Sequence, residues 1–149
     1  MRRIIFFHML IFTVFAAKAQ DINSSFHMTR SQDVVELRSE GLRLYFNRKY
    51  EEALPLISKA ADQKDPTATF YMGEFYDRGR AVGKDAAVAF EWYLKAAEQG
   101  DEDAMRTVFL RLRDGVGVKR NQKEAYRWKY RWDQIGKQKA KEYRNLHKL

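Results

Sequence analysis

The sequence predicts an all-α fold, an αα-superhelix or solenoid of about three helix–turn–helix repeats with a C-terminal capping helix. Three observations predict it. First, one stretch is copied at a fixed offset. Ala68 returns as Ala104, Gly79 as Gly115, Val82 as Val118, Trp92 as Trp128 and Gly100 as Gly136, always 36 residues on. A period of about 20–50 residues is the signature of an array of stacked units. Second, apolar residues within the period recur at spacings of three and four, the face of an amphipathic helix. Third, aspartates open these runs and glycines close them, which is how helices start and stop.

Length and composition agree. The chain has 149 residues, 45% hydrophobic and 32% charged, which suits one folded domain rather than a disordered chain. Cysteine is absent, which excludes disulfides, thiolate nucleophiles, cysteine-ligated metals and a lipid carried on an N-terminal cysteine.

Residues 1–19 read as a signal peptide. Arg2 and Arg3 precede an apolar run from Ile4 to Ala17, and Ala17-Lys18-Ala19 supplies the small residues a signal peptidase reads, so cleavage is expected before Gln20. The run is shorter than the roughly 20 residues that span a bilayer. The expected localisation is exported, periplasmic or secreted, through a bacterial inner membrane. Removing this segment leaves 25 basic against 20 acidic residues. The excess is uneven: residues 119–149 hold eleven basic and three acidic residues, net +8, so residues 20–118 are net −3.

Residues 20–32 are polar without a sustained period and read as a flexible lead-in. The first repeat, about 33–65, has Leu37, Gly41, Leu44 and Tyr45 on one helix, a turn at 47–49, and Tyr50, Ala53, Ile57, Ala60 and Ala61 on a second, with Pro55 close enough to its start to be tolerated. The second repeat, 66–100, opens on Asp65-Pro66, an N-cap followed by proline at the first helical position. Ala68, Tyr71, Met72, Phe75 and Tyr76 share a face, Gly79 ends the helix, and Asp85 caps a partner with Ala89, Trp92, Tyr93 and Ala96 inward. The third repeat, 101–136, has Asp101 as cap and Ala104, Val108 and Leu112 as its stripe. Asn121 and Glu124 have capping-box spacing, and Gly136 closes the unit. Residues 137–149 are expected to start a further helix, a basic cap with one face in water. Tyr126 to Trp132 alternates aromatic and basic residues as a strand would, but the repeat register places it on a helix.

Ala68, Met72, Gly73, Tyr76, Gly79, Val82, Asp85, Ala89, Trp92, Tyr93, Lys95, Ala96, Ala97 and Gly100 together resemble the Sel-one-like repeat of the tetratricopeptide superfamily. Ala104, Gly115, Gly117, Val118, Ala125, Trp128 and Gly136 resemble a second copy. Phe109 departs from it where Gly73 stood, and so does Trp132 where Ala96 stood, and a splayed last repeat is expected from the added bulk. The segment 33–65 looks like a plain tetratricopeptide unit with an inter-helix turn four residues shorter. The resemblance spans residues 33–136.

It implies a non-catalytic scaffold or adaptor for protein–protein interaction, with partner residues projecting from the first helix of each pair onto the concave face. By register these are Arg38, Leu42 and Tyr45, then Phe70, Glu74 and Asp77, then Arg106, Leu110 and Arg113. The expected partner is another protein or an extended peptide.

No catalytic, cofactor or metal residue is expected. His8 lies in the signal segment, and His27 and His147 stand near opposite ends of what remains, so no histidine-based zinc motif exists. No serine lies in a nucleophile motif and no phosphate-cradling loop appears. The acidic clusters Glu51/Glu52 and Asp101/Glu102/Asp103 open helices, where they complement the dipole. Nucleic acid is not expected as a partner of an exported chain. The basic C-terminal segment supports one alternative, peripheral contact with anionic lipid or glycan at the cell envelope.

Overall fold

A computed structural model of the chain describes residues 33–147. The signal segment, the lead-in over 20–32 and the last two residues lie outside the described residues. The described part holds six helices and no strand: α1 (33–46), α2 (Tyr50–Asp62), α3 (Pro66–Arg78), α4 (Ala86–Glu98), α5 (Glu102–Asp114) and α6 (Gln122–Leu146). From residue 37 onward they form three pairs, and neighbouring pairs pack through α2 against α3 and α4 against α5.

Local chemistry sets the boundaries. Asp65 caps α3 by accepting from the Ala68 N–H at 2.8 Å, Asp85 caps α4 from Ala87 and Val88 at 2.9 and 3.0 Å, and Asp101 caps α5 from Ala104 at 2.8 Å. Each carboxylate satisfies backbone donors that the first helical turn leaves free. Gly79 and Gly115 end α3 and α5 in the left-handed conformation, at φ 63° and 78°, where a Cβ would be strained. The turn between α1 and α2 is short, residues 47–49, whereas residues 79–85 and 115–121 separate the later pairs. That is the four-residue difference the register predicts. The α2 helix runs through Pro55 unbroken.

The capping box at Asn121 is only half made. Asn121 Oδ1 accepts from the Glu124 N–H at 3.1 Å, but the Asn121 N–H goes instead to the Leu112 carbonyl at 2.8 Å, and Glu124 pairs with Arg127 at 3.0 Å. The Asp85 N–H makes the equivalent bond to Tyr76 O at 2.9 Å, 36 residues earlier. A repeat-conserving tie from the second helix to the first leaves Glu124 nothing to cap.

The core runs along the facing stripes. Ile57, Phe75, Tyr93 and Val108 are fully buried, and Trp128 is buried with Ala125. Three rings expected in the core, Tyr71, Tyr76 and Trp92, are not fully buried, and Trp92 is the one whose place another residue takes. Trp92 is only half-buried, with the Lys95 ammonium 4.6 Å above its ring. The buried stripe of α4 is Ala89, Phe90, Tyr93, Ala96 and Ala97, so Phe90 occupies the place expected of Trp92. Small residues allow close approach where they stand. A Cβ on Gly41 would lie 2.7 Å from Ile57 Cγ1, and one on Gly73 would lie 2.6 Å from the Tyr93 ring.

A second correction concerns the C-terminus. No helix restarts after Gly136; α6 is one continuous helix of 25 residues. Lys137 stands in the register of the capping aspartates Asp65 and Asp101, so the side-chain acceptor that opens α3 and α5 is missing. Gly136 also lacks the positive φ that turns the chain at Gly100. Without a stop or a start the helix propagates. From Gly136 on it is exposed on every side and returns to α5 through an ion pair between Lys139 and Glu102.

Candidate functional site

The expected partner face does not present its nine residues equally. Five are occupied in holding the array together. The Arg38 guanidinium donates to the capping carboxylate of Asp65 at 2.9 Å, tying α1 to the start of α3. Glu74 accepts from Arg78 at 2.6 Å and from the Tyr93 hydroxyl at 2.7 Å. Asp77 pairs with Arg111 across the repeat boundary at 2.7 Å. Phe70 is half-buried, its ring 5.2 Å from that of Tyr93. Tyr45 departs furthest from expectation. It is 4% exposed and packs edge-on to Tyr50, Tyr71 and Phe75 at 5.0–5.4 Å, so it is a core ring that shows the outside little more than its hydroxyl. Burial raises the titration of Tyr45, Tyr71 and Tyr93 above the ordinary phenol value, which keeps all three hydroxyls protonated.

The other four stay available or lie at the edge of the packing. Leu42 and Leu110 are half-buried and Arg106 is exposed. Arg113 is exposed, bonded to its neighbour Asp114 at 2.6 and 2.7 Å and placed over the Phe109 ring.

Three of the nine, Tyr45, Phe70 and Glu74, meet in an open cleft of about 450 Å³ together with Phe46, Arg48, Tyr50, Tyr71, Arg78 and Arg80. The helices contribute rings, and the two loops contribute the guanidiniums of Arg48 and Arg80. Phe46, at the end of α1, is 67% exposed and meets Tyr45 and Tyr71 edge-on. Arg80 follows the glycine that ends α3, so its side chain leaves the helix axis and returns over the rings of Tyr45 and Tyr50, at 5.1 and 4.7 Å. Register reasoning from first-helix positions missed Phe46, Arg48 and Arg80, since it looks neither at helix ends nor at loops. The Arg-Gly-Arg sequence at 78–80 was the available signal.

Arg111 was missed as well. It is buried beside Tyr93, its guanidinium 4.8 Å from the ring centroid, and its Nη1 has no hydrogen-bond partner. A charge at this depth is tolerable because Asp77 neutralises it. Its signal was an arginine within the apolar stripe formed by Ala104, Met105, Val108 and Leu112.

A second concavity, about 580 Å³, lies along α6 among Lys123, Glu124, Tyr126, Arg127, Trp128, Tyr130 and Arg131. Tyr126 and Tyr130 are exposed. Among the described residues no cluster of histidine and carboxylate side chains is placed to hold a metal, and no helix is long and apolar enough to cross a membrane.

Comparison with known proteins places this arrangement. The Sel1 repeat family model matches residues 66–101 and 103–128, two copies in tandem. A Sel1 repeat protein from Oxalobacter formigenes has a similar structure, with 40% identity, TM-score 0.59, and 64% of this chain and 39% of that one covered. The cysteine-rich protein B of Helicobacter pylori aligns at 27% identity and TM-score 0.55 over 57% of this chain and 64% of its own. A protective antigen of uropathogenic Escherichia coli with an SLR fold aligns at 28% identity and TM-score 0.62, over 67% of this chain and 22% of its own. The yeast chitin synthase regulator SKT5 is 35% identical over 52% of this chain, which spans only 12% of that protein. Residues 66–101 and 103–128 thus match the Sel1 repeat, within an all-α helical-repeat fold that the solved neighbours share.

Proposed function

We propose that this chain is an exported bacterial scaffold or adaptor that binds another protein through the first-helix face of its repeats, without catalysis. Sel1-repeat proteins are typically protein–protein interaction scaffolds and are generally non-catalytic. The observation that carries the reading to this chain is the cleft beside α1 and α3, where exposed Phe46 and the Arg48 and Arg80 guanidiniums border a concave surface of about 450 Å³. Apolar walls with a few fixed polar groups are what an extended peptide needs for affinity and register. Export rests on the Arg2-Arg3, apolar and Ala-Lys-Ala sequence of residues 1–19.

A specific observation favours one alternative, an envelope-surface binder. The second half of α6 exposes Lys137, Lys139, Lys141 and Arg144, with Tyr143 and Leu146 beside them. Such a basic, sparsely apolar helix can lie on anionic lipid or glycan.

Affinity capture from envelope extract at low and high salt separates the two. A protein partner with apolar anchors is expected to be retained at high salt and lost with Leu110→Ala or Phe46→Ala. Capture of anionic components alone, released by a few-fold rise in ionic strength, would transfer the function to α6.

A further inference from the structure

The cleft beside α1 and α3 contains an arginine held in place without a carboxylate. Arg80 Nη1 donates to the Tyr45 hydroxyl at 2.6 Å, and the guanidinium lies over two tyrosine rings. Of its N–H groups, those contacts use the one bonded to Tyr45. The other donors of the planar fork are left for a ligand. Nearby Arg78 is different, since Glu74 neutralises it at 2.6 Å. Among the described residues Arg80 and Arg48 form no ion pair with a carboxylate, so the cleft has two positive charges in excess. Guanidiniums favour carboxylates because two parallel N–H···O bonds can form at once. Tyr45 and the rings already immobilise Arg80, so less side-chain freedom remains to be lost when a ligand arrives.

The walls specify the rest of the ligand. Phe46 is 67% exposed although it touches Tyr45 and Tyr71 edge-on, leaving ring surface for an apolar side chain. Aromatic anchors of this kind carry much of the energy of peptide recognition. We propose that this cleft binds an acidic peptide segment, one aspartate or glutamate carboxylate on Arg80 and a neighbouring aromatic or aliphatic side chain on Phe46. This rests on the scaffold reading and supplies the chemistry of its partner.

Selection of random displayed peptides on the purified full chain tests it. The expected result is a consensus pairing an acidic residue with an aromatic or aliphatic one. Fluorescence anisotropy of that consensus peptide should show binding weakened about tenfold, or ~1.4 kcal/mol, when its acidic residue becomes the amide or when the protein carries Arg80→Gln. Phe46→Ala should weaken it several-fold with an unchanged thermal melt, and it decides the matter if Arg80→Gln perturbs folding. A consensus without an acidic residue overturns the proposal, as does binding indifferent to Phe46→Ala and Arg80→Gln. A consensus lost with Leu110→Ala alone overturns this cleft and spares the scaffold reading. No consensus, together with an empty envelope capture, overturns both.

Discussion

The repeats 66–100 and 101–136 have the same backbone punctuation and solve different packing problems with it. Asp65 and Asp101 cap, Gly79 and Gly115 turn left-handed, and Asp85 and Asn121 open the second helices, each pair 36 residues apart. The side chains between them diverge. Phe75 is fully buried, and its counterpart Arg111 is a buried charge that crosses the repeat boundary to Asp77. Gly73 leaves room for Tyr93. In the later repeat Phe109 stands for the glycine and Lys129 for the tyrosine, so the bulk has changed helix. Phe109 and Trp132 are half-buried against the core, and α5 and α6 remain packed. The clearest difference is cover. Phe90 on α4 is 9% exposed, and its counterpart Tyr126 on α6 is 64% exposed. The α4 helix has both α3 and α5 packed on it, whereas among the described helices α6 packs on α5. The same repeat position is thus buried in one repeat and displayed in the other.

The largest test of this comparison is the loop of the later repeat. A Cβ on Gly117 would lie 1.9 Å from the Ala86 carbonyl oxygen at the start of α4, and Gly117 has φ 71°. Gly117→Ala should therefore cost about 3–4 kcal/mol, steric overlap adding to left-handed strain. A loss below about 1 kcal/mol in urea denaturation would show that the loop does not lean on α4.

Next come the two tryptophans. Trp128→Ala should cost about 3–5 kcal/mol as a core truncation, while half-buried Trp92→Ala should cost about 1–2 kcal/mol from lost apolar cover. Equal losses would contradict the difference in burial.

The aspartate caps are expected to differ less. Asp65→Asn keeps the cap but removes the pair with Arg38, for a loss of about 1–2 kcal/mol. Asp101 has no such cation, and its burial pushes the carboxyl above the usual value. The folded state therefore binds a proton more readily than the unfolded one, and this contribution to stability is lost as pH rises from the unfolded-state value through the folded-state value. Asp101→Asn should be within about 0.5 kcal/mol of the parent at neutral pH, or slightly more stable. Thermal melts of both variants would check the order.

The smallest effect concerns Ala81, which stands 36 residues before Gly117 and is left-handed at φ 56° without glycine's freedom. Ala81→Gly should gain up to about 0.5–1 kcal/mol, strain relief being partly offset by unfolded-chain entropy. A loss would mean that the methyl group packs.

Tyr45 and Trp92 show where register stops being informative. Their sequence positions place them on the first-helix face and on the inward face, but a helix face is more than 100° wide. Which edge of it is covered depends on the neighbouring helix. Arg80 falls outside the helix register for another reason, because a loop side chain takes its direction from a local turn and from the rings it lands on.

The order of residues alone specified the repeat period, the helices α2 to α5, the aspartate caps of α3, α4 and α5, and the left-handed stops of α3 and α5. These follow from interactions within a few residues, which the order of residues specifies directly. The assembled repeats, by contrast, set the burial of Phe90 rather than Trp92, the reach of Arg111 to Asp77, and the meeting of Phe46, Arg48 and Arg80 in one cleft. Those outcomes depend on groups distant in sequence. Their energies exist only once neighbouring repeats have excluded water from one face and left the other open.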